Sequence, residues 1–268
     1  MGISYRFGIY GYSPTFKCSS FDVLETLDNY HDIVTISCHN NNLTVLPVLP
    51  NSLEHLNCES NKLIVLPILP NSLIDLWCAY NLLTLLPNFP NSFKNLWCYN
   101  NKLTALPNLP NGLIHLSCWD NELYSLPTLP NSLMYLGCQY NLLVFLPKLP
   151  IGLIRLCCNN NLLYILPTLP NSITTFQCSN NKLAFLPIFP KSLTHKYYPN
   201  NPVDNYIRYK CGGSLDVYHK ENEIFANKLV NWYLDCRENP IYKFCRTRLD
   251  REYDALMEED INGGIMVN

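Results

Sequence analysis

An asparagine recurs every twenty residues from Asn41 to Asn201 without a slip, and a cysteine stands three residues before it from Cys38 to Cys178. Prolines recur in pairs on the same period, at 47/50 through 187/190. One unit reads Leu53-x-x-Leu56-x-Cys58-x-x-Asn61-x-Leu63-x-x-Leu66-Pro67-x-Leu69-Pro70-x-Ser72. Eight full units run from Ile33 to Ser192, and a ninth is cut short near Asn201. A unit this short cannot bury its own apolar face, so neighbouring units must stack and share one continuous core. The period therefore demands a solenoid.

The columns of the repeat predict how each coil is built. A short strand around Leu56-Asn57-Cys58 stacks in parallel on its neighbours at about 4.8 Å. Leu53, Leu56, Cys58, Leu63, Leu66 and Leu69 point inward. The asparagines Asn41, Asn61, Asn81, Asn101, Asn121, Asn141, Asn161 and Asn181 turn inward too, and their amides are suited to satisfy buried backbone groups as a hydrogen-bonded ladder. Proline lacks a donor and pushes the residue before it to extended geometry. The Leu-Pro-x-Leu-Pro stretch is thus read as extended or polyproline-like on the convex side.

The pattern L-x-x-L-x-[L/C]-x-x-N-x-L resembles the leucine-rich repeat at its shortest length. The phrase Leu-Pro-x-Leu-Pro-x-Ser-Leu-x-x-Leu-x-Cys-x-x-Asn is similar to bacterial effector repeats of the YopM and IpaH kind. It also resembles leucine-rich repeat proteins of giant viruses of amoebae (mimivirus type), which place Cys inside the repeat. The tail from Asn231-Trp232-Tyr233-Leu234-Asp235-Cys236 through Asn239-Pro240 to Cys245-Arg246 is similar to tails found there. The viral resemblance implies a fold and a setting more than an activity. The IpaH group carries a ubiquitin-ligase domain whose nucleophile lies in a C-x-D motif. Here 66 residues follow the repeats, and only Cys118-Trp119-Asp120 matches, inside the cysteine column. No enzyme is expected.

Thirteen cysteines invite a disulfide or metal reading. Stacked neighbours about 4.8 Å apart exceed the Cβ separation a disulfide wants, about 3.5–4.5 Å. A linear column does not converge tetrahedrally on a metal either. A column of small buried hydrophobes is the favoured reading, and so many reduced thiols favour a reducing compartment.

Net charge is −2, and the repeats show no basic stripe of the kind that neutralises phosphates, so no nucleic acid is expected. No apolar run approaches the roughly 18 residues of a membrane span. The N-terminal sequence has neither an apolar signal core nor the Ser/Thr that myristoylation wants at position 6, where Arg6 stands. The chain is read as soluble and cytoplasmic, in a host cell if viral, with a place in the virion left open. No cofactor and no metal are expected.

Residues between the inward ones face the concave surface, and there the aromatics collect. Trp77 and Trp97 share one column, Tyr99 and Trp119 the next, with Tyr80 and Tyr140 beside them and Tyr135 on the other flank. Exposed aromatics of this kind anchor protein interfaces. Mutual stacking that only stabilises the sheet is the competing reading. Sugar stacking is a third, with Asp75 and Asp120 as its carboxylates. The expected partner is a protein.

Three segments are delimited: a cap over 1–32, the repeats over 33–202, and a helical cap or module over 203–268. Phe16-x-Cys18 echoes the repeat phase, and Phe21 to Leu27 suits a short helix. In the tail, Gly212-Gly213 breaks the chain and a helix fits from about Val217 to Cys236, with Phe225, Leu229, Trp232, Tyr233 and Cys236 on one stripe. Asn239-Pro240 suits the start of a second helix, and Glu258 to Asn268 reads as a frayed end. Cys211, His219, Cys236 and Cys245 make only a loose metal set. The expected function is a binding scaffold, with a substrate adaptor docking through the C-terminal helices as the alternative and a virion component as a third.

Overall fold

The computed structural model describes residues 2–8 and 15–219. Nine three-residue strands, one per coil, run in parallel and in register: β3 (Thr35–Ser37), β4 (His55–Asn57), β5 (Asp75–Trp77), β6 (Asn95–Trp97), β7 (His115–Ser117), β8 (Tyr135–Gly137), β9 (Arg155–Cys157), β10 (Thr175–Gln177) and β11 (His195–Tyr197). Each strand sits one residue earlier than the sequence places it. The cysteine past the strand still joins the ladder, since Cys58 N donates to Trp77 O at 2.8 Å. The convex return after each proline pair carries no helix among the described residues.

Every cysteine from Cys38 to Cys178 on the twenty-residue period is fully buried. They pack with Leu53, Leu56, Leu63 and their equivalents in one core that runs the length of the stack. All eleven cysteines among the described residues are free thiols. Burial pushes the Cys118 thiol up to about 12, so it has neither the exposure nor the thiolate character of a nucleophile.

Two polar ladders flank this core. In the asparagine ladder, Asn121 Nδ2 donates to Cys98 O, Cys118 O and Trp119 O at 3.1, 3.1 and 3.3 Å, and its Oδ1 accepts from Leu103 N at 3.0 Å. Asn61, Asn81, Asn101, Asn141, Asn161 and Asn181 repeat this arrangement. Asn41 begins the column half-buried, donating to Gly2 O and His39 O. At the other end of the coil, serine hydroxyls clamp the preceding turn: Ser132 Oγ donates to Asn111 O and Leu113 O at 2.8 and 2.6 Å. Ser52, Ser72, Ser92 and Ser172 do likewise. Gly112 and Gly152 interrupt this second ladder.

The residue before each ladder asparagine turns through the left-handed region, with φ between 52° and 62° from Asn40 to Asn200. That conformation costs L-residues energy and favours Asn or Asp. Asn, Ser or Asp holds it in most coils, but Tyr80 and Tyr140 hold it in two.

The N-terminal segment departs from the sequence reading. β2 (Phe16–Cys18) is not an early coil in phase with the repeats. It pairs antiparallel with β1 (Ile3–Arg6), and β1 pairs antiparallel with β3, so β1 lies between β2 and the repeat strands. This hairpin occupies the open edge that a parallel stack would otherwise expose. Ser20 caps α1 (Phe21–Glu25), whose Phe21 and Leu24 close the core at that end.

At the far end the chain turns helical sooner than the sequence reading has it. Helix α2 (Pro202–Lys210) starts directly after Asn201 and buries Val203 and Ile207. Asn201 serves both structures. Its amide continues the asparagine ladder, accepting from Leu183 N at 3.2 Å and donating to Cys178 O at 3.1 Å, while its backbone N–H donates to the Asp204 carboxylate at 2.9 Å. Gly212 and Gly213 both take positive φ and end the helix. Residues 215–219 are helical again, and the buried Tyr218 hydroxyl accepts from Leu186 N at 3.0 Å. The described start of the tail thus packs on the last coils. The helices expected over Val217 to Cys236 and after Pro240, with the stripe that holds Phe225 and Trp232, lie largely or wholly outside the described residues.

Candidate functional site

Strand residues that alternate with the buried leucines form the concave face, and the in-register parallel pairing sets their side chains in rows along the stack. In the middle row Trp97 lies flat on Trp77, centroids 4.6 Å apart and planes 4° apart. In the next row Tyr99 and Trp119 stack at 4.4 Å and 8°. Tyr80 meets Tyr99 edge-on at 5.3 Å. On the other flank His115 packs at 4.8 Å from Trp97 and 5.9 Å from Tyr135, which joins that flank to the middle row, and the Tyr99–Trp119 row runs beside it two residues along the same coils. Tyr140 stands two coils beyond Tyr99 and makes no ring contact among the described residues.

The band is less exposed than the sequence reading has it. Trp77, Trp97, Tyr99 and Trp119 are half-buried because each ring covers its neighbour, so they carry part of the sheet's stability as well as its surface. Tyr80, Tyr135 and Tyr140 are exposed, at 45%, 37% and 56%. Both stacking and surface presentation are therefore properties of the same residues.

Polar neighbours fix the band. Tyr99 OH donates to Glu59 Oε1 at 3.3 Å, and burial, together with that carboxylate, pushes its phenol up to about 12. Burial pulls His115 below its ordinary value, which keeps the imidazole neutral beside Trp97. His115 Nδ1 and Gln139 Oε1 are buried with no hydrogen-bond partner among the described residues.

Sequence reasoning missed a second feature of this face, the row His55, Asp75, Asn95. His55 Nδ1 lies 2.7 Å from Asp75 Oδ2, and Asn95 Nδ2 donates to Asp75 Oδ1 at 2.5 Å. The three occupy the same position in consecutive coils, so the spacing of twenty is the signal that would have found them. Asp75 is thereby committed within the protein, and Asp120 accepts from Asn100 Nδ2 at 2.6 Å. Of the two carboxylates a sugar would need, Asp75 is bonded at both oxygens and Asp120 at one. Among the described residues no cluster of His, Cys, Asp or Glu could hold a metal ion, and no helix is long and apolar enough to cross a membrane.

No protein-family model matches the chain, and no curated protein matches it. Solved structures do. The leucine-rich effector protein YopM from Yersinia pestis is 35% identical over 67% of this chain and 51% of that chain, with a TM-score of 0.62. The fold is a leucine-rich repeat solenoid. YopM from Yersinia enterocolitica is similar at 30% identity, over 63% of this chain and 47% of that one, with a TM-score of 0.52. A Shigella effector leucine-rich repeat domain is 29% identical over 68% of this chain and 77% of its own, with a TM-score of 0.50. This chain spans about half the length of the two YopM chains. The bacterial half of the expected resemblance is thus found among leucine-rich repeat structures.

Proposed function

We propose that this protein is a non-enzymatic scaffold that binds a protein partner on the concave aromatic band, centred on Trp77, Trp97, Tyr99 and Trp119. One observation carries the reading. Tyr80, packed edge-on against Tyr99, holds a left-handed backbone where other coils use Asn, Ser or Asp, and so does Tyr140 two coils beyond. A bulky residue in that conformation is strained, and strain of this kind is kept where function requires the side chain. Stability alone would favour asparagine there.

Other features support the same face. Aromatic anchors at the centre of an interface typically carry 2 kcal/mol or more each, roughly. Similarity to effector repeats from Yersinia and Shigella makes a host protein the partner class this proposal favours. A viral origin and a cytoplasmic site of action rest on the sequence resemblance and on the free thiols. The adaptor alternative places the partner of an assembly on residues outside the described part of the chain.

The test is affinity capture from amoebal lysate with the wild type and with the Trp77→Ala/Trp97→Ala/Trp119→Ala variant, each verified as folded by circular dichroism. A protein retained by the wild type and lost by the folded variant supports the concave band. Equal capture by both moves the site elsewhere, with the C-terminal segment as the next candidate.

A further inference from the structure

The turn that joins the convex return to each strand has the same form in successive coils. In the coil at Asn111 it is closed by Leu113 N donating to Pro110 O at 3.1 Å, and Leu53, Leu73, Leu133 and Ile173 close theirs in the same way. Its two central residues are Asn-Ser in five coils: 51/52, 71/72, 91/92, 131/132 and 171/172. They are Asn111-Gly112 in one and Ile151-Gly152 in another. Asn111 is therefore the one asparagine of this column that precedes a glycine.

We propose that Asn111 is a site of spontaneous, age-dependent conversion to aspartate and isoaspartate, and that the other turn asparagines are not. The Gly112 backbone nitrogen, on losing its proton to a solvent base, attacks Asn111 Cγ. Ammonia leaves, the new N–C bond closes a five-membered succinimide, and water opens that ring at either carbonyl. The net reaction consumes one water and releases one ammonia. Three features of this turn favour it. Gly112 has no Cβ to obstruct the nitrogen's approach. The Gly112 N–H and the Asn111 side chain make no hydrogen bond among the described residues, and Asn111 is exposed. Finally, Lys94 Nζ lies 2.6 Å from where a Cβ on Gly112 would stand, so its positive charge favours the anionic nitrogen and oxyanion of the attack.

The other coils differ at each point. Their serine carries a Cβ, and its hydroxyl ties this turn to the one before, as Ser92 does to Asn71 O and Leu73 O at 2.8 and 2.7 Å. Gly112 has no hydroxyl to make that tie. The consequence lies in the ladder. Asn111 O accepts the Ser132 hydroxyl at 2.8 Å. An isoaspartate reroutes the main chain through the side-chain carbon and moves that carbonyl, loosening the next coil beside the aromatic band. A new negative charge appears there as well.

The experiment incubates the purified full chain at mildly alkaline pH and follows each turn by peptide mapping, with isoaspartyl methyltransferase labelling to mark the isomer. Mapping separates residue 111 from Asn262-Gly263, the chain's other Asn-Gly pair. Conversion at 111 should run at least about tenfold faster than at Asn51, Asn71, Asn91, Asn131 and Asn171, because only there is the attacking nitrogen unshielded by a Cβ. Gly112→Ser, which restores the residue of the neighbouring coils, should abolish the difference, while a melting temperature no lower than the wild type's shows an intact fold. Equal rates at all six turns, or an unslowed Gly112→Ser variant, would overturn the proposal.

Discussion

The amide of Asn121 bridges two coils: it donates to Cys98 O of the preceding coil and accepts from Leu103 N of the same one, at 3.1 and 3.0 Å. Asn121→Ala leaves the buried Leu103 N–H unpaired and takes one donor from each of three carbonyls, which keep Asn101 Nδ2 on Cys98 O, Asn141 Nδ2 on Cys118 O and Asn100 N–H on Trp119 O. Leaving a single buried group unpaired costs about 1–3 kcal/mol, so the variant should lose about that much. Because each coil touches only its neighbours, the loss propagates through the stack. Chemical denaturation of Asn121→Ala beside Asn41→Ala checks this. The terminal, half-buried Asn41 should matter much less, and equal midpoints would refute the ladder as a stabilising device.

Trp97→Ala should remain folded yet lose about 1–2 kcal/mol. Trp97 stacks on Trp77 and also contacts His115, and an aromatic pair contributes about 0.5–1.5 kcal/mol beyond its buried area. Thermal melting reads the cost. A variant as stable as the wild type would mean that the stack is purely a presentation surface.

Tyr140→Asn should raise stability by about 0.5–1 kcal/mol, since the left-handed conformation is penalised by roughly 1–2 kcal/mol for L-residues and Asn tolerates it best. No ring contact among the described residues is lost in exchange. If the same variant also binds the captured partner less tightly, stability and function trade against each other at this residue. A drop in melting temperature would show that the phenol has a structural role.

Lowering the pH should destabilise the fold below about 6.5, the ordinary value for histidine. Burial depresses the folded-state value of His115, so the unfolded chain binds the proton more readily and stability falls as protons are taken up. His219, pulled down by burial at the C-terminal end, acts with the same sign. Denaturation midpoints measured from neutral to mildly acidic pH should decline, and less steeply in His115→Gln. An identical slope in that variant would remove His115 from the account.

Periodicity alone determined the solenoid, its coil count, the buried cysteine column and the asparagines placed to satisfy it. Each is a consequence of repetition: a residue type that returns every twenty positions meets the same neighbour in every coil, so one coil's chemistry is the chemistry of the whole stack. The aromatic rows were legible for the same reason, because in-register strands convert a spacing of twenty into direct contact. What breaks the period was not legible. The reversal of β1 and β2 into an antiparallel hairpin, the onset of α2 at Pro202, and the dual use of Asn201 all depend on how a non-repeating segment meets an open end. How far Trp77 and Trp97 are shielded was likewise decided by tertiary structure, since burial by a neighbouring ring depends on the tilt of both side chains. The same holds for the left-handed backbone at Tyr80 and Tyr140: φ there is imposed by the coil's closure, and the residue that occupies the position must accept it.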